Sequence, residues 1–181
     1  MNFNCTFGHS TTSGVGALML MQAHTYDMTL ETNLKNIQTI AIQKRESNRS
    51  FSIFLEKQDS EKVDAIVYRL NKDITPQIDC TACGNCCLNL RPVASEEVLR
   101  QFVDADKIEE VKYAMCIQCK HVKDKKCTKY LERPEECRLY PYMDRAQFVS
   151  RIVGILQNYE ICPIVFNICE HLKIELGWDN D

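Results

Sequence analysis

The chain lacks the signatures of the common enzyme classes. It has no P-loop, no G-x-G-x-x-G, no G-x-S-x-G and no H-E-x-x-H. Phosphate cradling, dinucleotide binding, nucleophile-elbow hydrolysis and zincin chemistry are therefore without support. Long apolar runs are also missing. Val15 to Met21 is too short to span a membrane, and neither a basic segment before it nor a small-residue cleavage site after it makes it a secretory signal. No stretch alternates convincingly as a strand, and there is no internal repeat. An excess of positive charge is absent too: the formal net charge is -3, with 26% charged and 45% hydrophobic residues. That balance is ordinary for a soluble globular protein and disfavours bulk polyanion binding, the more so once ligating thiols lose their protons. The single Trp178, near the C-terminus, decides nothing alone.

What the chain does have is cysteine: eleven in 181 residues, about 6%, below the range of disulfide scaffolds. The count is odd, and eight of the eleven crowd between Cys80 and Cys137. Metal-bound thiols in a reducing cytoplasm are the preferred reading over cystines.

The densest segment reads C-T-A-C-G-N-C-C and holds Cys80, Cys83, Cys86 and Cys87. Thiolates are soft ligands that suit zinc, copper(I) and iron–sulfur centres, and two cysteines separated by two residues can reach one ion. Gly84 permits the tight turn such a ligand segment needs. Adjacent Cys86 and Cys87 rarely aim at one ion, so they are expected to serve two metals or two irons of one cluster. Cys119, Cys127, Cys137 and Cys162 complete a set of eight. That is enough for two four-thiolate sites, two clusters, or one cluster and a zinc. Closed all-thiolate shells are structural in zinc chemistry. Arg133 and Arg138, with Tyr140, flank the second half and are candidates to offset thiolate charge from behind the ligands. Pairing of Arg138 with Glu135 or Asp144 is the simpler alternative. Pro134 and Pro141 are expected to fix the loop that carries Cys137.

The rest reads as mostly α: helices flanking a metal-stapled, cysteine-rich loop core. Residues 1–27 are expected to be a disordered tail or an artefactual extension, with Met19, Met21 and Met28 as candidate starts, and 28–181 a single domain. Its parts are N-terminal helices over 28–76, the cysteine-rich core over 77–142, and C-terminal helices over 143–181. Leu34, Ile37, Ile40 and Ala41 repeat at helical spacing, running on through Phe51, Phe54 and Leu55. Ser60 is read as the N-cap of a helix with Val63, Ile66, Val67, Leu70 and Ile74 on one face, ended by Pro76. Further helices are expected after Ser95, over 106–115 and over 144–158. The last opens at Cys162-Pro163 and closes at Gly177.

The set C-T-A-C-G-N-C-C, then C-K-H-V-K-D-K-K-C-x2-Y-x2-R-P-x2-C-R-x-Y-P, then a late C-P resembles the zinc- or iron-chelating CxxCxxCC cysteine-cluster family, the YkgJ-like proteins. The resemblance runs from Cys80 to Cys162. It implies that Cys80, Cys83, Cys86, Cys87, Cys119, Cys127, Cys137 and Cys162 are the recurrent metal ligands, holding an iron–sulfur cluster or Zn2+. The implied role is structural, electron-transferring or metal-handling, with no assigned reaction. Cys116 makes C-I-Q-C with Cys119 and is a lesser candidate. Cys169 reads as a small core residue, and His121 as a solvated loop histidine. His24 and His171 carry no signal, and Cys5 and His9 belong to the tail.

Two alternatives stand beside this. Some cysteine-cluster relatives are described as flagellin lysine methylases, which suggests a cluster-dependent methylase, although this chain is short and lacks a cofactor loop. The lysines at 120, 123, 125, 126 and 129 suggest a zinc module binding nucleic acid, but Glu132, Glu135 and Glu136 follow closely and aromatics are scarce. A protein partner is open, a membrane is not expected, and nucleic acid is disfavoured.

Overall fold

The computed structural model describes residues 29–90, 95–111 and 119–178. The described chain is mostly helical. Helix α1 (Leu34–Gln43) begins at Asn33, whose side-chain oxygen accepts the amides of Lys35 and Asn36. It was expected to run unbroken past Phe51, but it kinks at Lys44 and resumes as α2 (Arg45–Leu55). Backbone bonds from Lys44 to Ile40 and from Asn48 to Lys44 carry across the kink. Ile37, Ala41, Phe51 and Leu55 therefore stay on one buried side.

Helix α3 (Ser60–Ile74) buries Val63, Val67, Leu70 and Ile74. Its cap is Asp59 rather than Ser60, because the Asp59 carboxylate accepts the Glu61 and Lys62 amides and an anion suits a helix N-terminus. Pro76 lies in a single 3-10 turn, and Ile78 leaves it extended.

The cysteine segment is more ordered than a loop. Two helical turns, α4 (Cys80–Cys83) and α5 (Asn85–Asn89), meet at Gly84, whose φ of 57° lies in the left-handed region. Ser95 caps α6 (Glu96–Leu99). A 3-10 turn over Ala105–Lys107 then leads into α7 (Ile108–Val111). The remainder of the expected 106–115 helix and Cys116 lie outside the described residues, as do Cys5, His9 and His24.

The sequence suggested no strand, yet β1 (Val122–Lys123) and β2 (Lys126–Cys127) pair antiparallel. Asp124 and Lys125, both at positive φ, make the tight two-residue connection that fits strand twist. Neither is glycine or asparagine, so the turn carries little composition signal. After it come α8 (Glu135–Leu139), α9 (Phe148–Leu156) and α10 (Pro163–Glu175). Helix α9 starts four residues later than expected because its cap comes from α3. The Asp64 carboxylate accepts the amides of Gln147 at 2.7 Å and Phe148 at 2.8 Å.

The main core joins α1, α2 and α3 to α9 and α10, with Phe51, Leu70, Phe148, Ile168 and Leu172 fully buried. Cys169 is buried there as a small core residue. Trp178 packs against Phe54, ring centroids 4.8 Å apart. Inside this core Lys173 donates to Asn48 and Glu170, each at 2.5 Å, and Tyr159 donates to Glu170 at 2.8 Å. A second, smaller cluster of Leu99, Phe102, Val103 and Ile108 lies apart from the first. Among the described residues, no helix is long and apolar enough to cross a membrane.

Candidate metal centre

Each of the eight predicted cysteines has a defined place. Cys80 and Cys83 bound α4, Cys86 and Cys87 sit in α5, Cys119 precedes β1, Cys127 lies on β2, Cys137 lies in α8, and Cys162 stands at the cap position of α10. All are free thiols. Distant parts of the chain are drawn to the C-T-A-C-G-N-C-C turn by backbone contacts. Asn85 Nδ2 donates to the Ile161 carbonyl at 2.7 Å, setting Cys162 beside the turn. The Cys119 amide donates to the Cys87 carbonyl at 3.2 Å. Helix α4 packs on β2. The hairpin tip presses so closely on Gly84 that a Cβ there would meet the Lys125 carbonyl oxygen at 1.8 Å.

Burial sets the ionisation of these thiols. It pushes Cys80 and Cys119 up from the ordinary thiol value. Cys137 rises to about 12 by burial, with Cys87, Cys119 and Cys127 adding to it. Cys162 also rises to about 12 by burial, although the Val165 and Ile164 amides at the start of α10 favour its thiolate. Cys86 donates to Cys87, which raises Cys86 far above the ordinary range. Cys87 falls to about 7, chiefly through that bond and against its burial, with the Arg133 guanidinium helping. A metal entering here must displace protons, so its binding is strongly pH-dependent.

Arg133 stacks on Tyr130, its guanidinium carbon 3.7 Å from the ring centroid, and its Nε is buried without a hydrogen-bond partner. Its charge bears on Cys80, Cys87 and Cys137. Arg138 is exposed on α8. The Tyr140 hydroxyl is buried with no aligned hydrogen bond, although the Cys162 sulfur is within its reach. His121 is held by the Gln101 carbonyl at 2.7 Å.

Among the described residues, no three Cys, His, Asp or Glu side chains already form a ligand shell. The sulfurs are gathered rather than converged. Zinc and iron nonetheless fit the chemistry. The donor set is all sulfur, and two buried donors, Arg133 Nε and Tyr140 Oη, face thiols whose bound, anionic form would accept from them. Asn85 is the residue sequence reasoning passed over. Its signal was its place inside the motif, between Gly84 and Cys86.

No curated protein and no solved structure shows a significant match to the chain. Residues 79–163 match the CxxCxxCC family, described as a "Putative zinc- or iron-chelating domain". The matched segment begins one residue before Cys80 and ends one residue after Cys162, so the similarity to the CxxCxxCC domain spans all eight candidate cysteines.

Proposed function

We propose that this domain binds zinc or iron, the latter as an iron–sulfur cluster or as ions, through Cys80, Cys83, Cys86, Cys87, Cys119, Cys127, Cys137 and Cys162. The bound metal serves structure, electron transfer or metal handling, in a reducing, cytoplasmic setting. Arg133 offsets the charge of the bound thiolates. The observation that carries this reading is the return of Cys162 to the first cysteine turn through the Asn85–Ile161 bond, which spans 76 residues. Apolar packing alone does not require a polar tether that returns Cys162 to the first cysteine turn.

The nucleic-acid reading is weakened by Lys120, whose ammonium donates to the Arg100 and Val103 carbonyls at 3.0 and 3.2 Å. That lysine is occupied in closing α6 rather than offered to phosphate. No observation favours methyl transfer.

The test is elemental analysis and visible absorption of the full chain purified without oxygen. Stoichiometric iron with sulfide and a brown colour assigns a cluster, and colourless protein with stoichiometric zinc assigns zinc. Protein free of both metals, with its cysteines paired as cystines, rejects the reading.

A further inference from the structure

We propose that the eight cysteines form two separate four-thiolate centres that share no ligand. Cys80, Cys83, Cys86 and Cys162 make one centre. Cys87, Cys119, Cys127 and Cys137 make the other. This division rests on the thiolate-metal reading above, and it holds whichever of zinc or iron is bound.

Packing divides the cysteines first. Cys162 is buried in the main core and Cys80 packs against that same core. Cys119 and Cys137 pack against the second cluster, around Leu99, Phe102, Val103 and Ile108. No cysteine of one group packs on the other group's cluster.

Backbone tethers bring the two sets to the turn by separate routes, although α4, with Cys80 and Cys83, also packs on β2, with Cys127. The Asn85–Ile161 bond brings Cys162 to the turn from the α10 side. The Cys119–Cys87 bond and the β1–β2 register, which pairs Cys127 with Val122, bring in the other set. Within α5, neighbours are set about 100° apart, which lets Cys86 and Cys87 serve different sides, although the Cys86 thiol hydrogen-bonds to Cys87 and binding in two separate centres would replace that contact.

The two centres are unequal. The first is anchored in the main core, with the start of α10 at Cys162 and the Tyr140 hydroxyl beside Cys162 and Cys86. The second stands on four apolar residues and a two-residue hairpin. Arg133 lies at the junction, bearing on Cys80 of one centre and on Cys87 and Cys137 of the other. A chelator therefore strips the second centre first.

The test is 113Cd NMR of the reduced full chain titrated with cadmium ions, a spectroscopic stand-in for zinc. Two thiolate resonances of equal intensity, without cadmium–cadmium coupling, are expected. Cys162→Ala should remove one resonance and half of the bound cadmium, and Cys127→Ala should remove the other. Should Cys162→Ala fail to fold, Cys83→Ala, at a half-buried position, must remove the same resonance that Cys162 would. Coupling between the signals would reveal a bridging thiolate and overturn the division, as would loss of one and the same resonance in both variants. A parent chain that binds no cadmium would instead overturn the thiolate-metal reading itself.

Discussion

The Lys125 carbonyl oxygen occupies the space that any side chain at Gly84 would need. A Cβ at Gly84 would lie 1.8 Å from it, on a backbone already at φ 57°. Strain and collision act together, and the clashing atom is backbone, which cannot simply rotate away. Gly84→Ala is expected to destabilise the cysteine segment by about 2–4 kcal/mol. The hairpin would lift from α4 and Cys127 would leave the turn. Metal titration of the variant checks this, and parent-like affinity would show that the contact is dispensable.

Removing the metal should loosen residues 80–137 while the main core holds. The second cluster contains four buried residues, whereas Phe51, Leu70, Phe148, Ile168 and Leu172 support the helices independently of any thiol. Hydrogen exchange before and after chelation should show protection lost in α4, α5 and the hairpin but kept in α3 and α10. Uniform loss would mean one cooperative unit.

Arg133→Met should act unequally on the two forms of the protein. Its buried Nε has no hydrogen-bond partner, so the reduced, chelator-treated variant should melt within a few degrees of the parent. Bound thiolates would lose a donor and a compensating charge, lowering metal affinity by about 10–100-fold. Competition titration against a chromophoric chelator measures the second effect and thermal unfolding the first.

The Lys173–Glu170 pair is a stability element independent of metal. Lys173→Ala leaves Glu170 with only the half-exposed Lys44 as its cation and should cost about 3 kcal/mol. Burial pushes the Glu170 carboxyl up, but Lys173, Lys44 and Tyr159 together hold it below the ordinary 4.5. The unfolded chain therefore takes up this proton first. The contribution is complete above about pH 4.5 and fades as pH falls through the lower folded value. Denaturant midpoints from pH 6 to pH 3 should show a drop in the parent that is smaller in Glu170→Gln.

Much of this was legible in the chain. Helical spacing located the faces of α1, α2 and α3, because their buried residues recur every three to four positions, whereas α10 is buried without a break from Pro163 to Cys169 and has no single face there. The Cys162-Pro163 start was readable from the preference of proline for a first helical position. Starts set by tertiary contact were not. The cap of α9 is a carboxylate on α3, and no local pattern near Phe148 announces Asp64. The β1–β2 turn was hidden for a different reason, since Lys125 adopts positive φ without being a residue that favours it and no glycine or asparagine accompanies Asp124. Cysteine spacing identified the ligand candidates but not their neighbours. Where Cys162, Cys119 and Cys137 lie is set by Asn85 reaching Ile161 and by two unequal apolar clusters, neither of which spacing encodes.

The Asn85–Ile161 tether also fixes an order of events during synthesis. The ribosome releases Asn85 and the first cysteine turn 76 residues before Ile161. On the proposed eight-thiolate reading, a nascent chain would hold metal with a partial set of sulfurs until α10 docks, and capture of the ion in its finished form would be a late step that follows closure of the helical body.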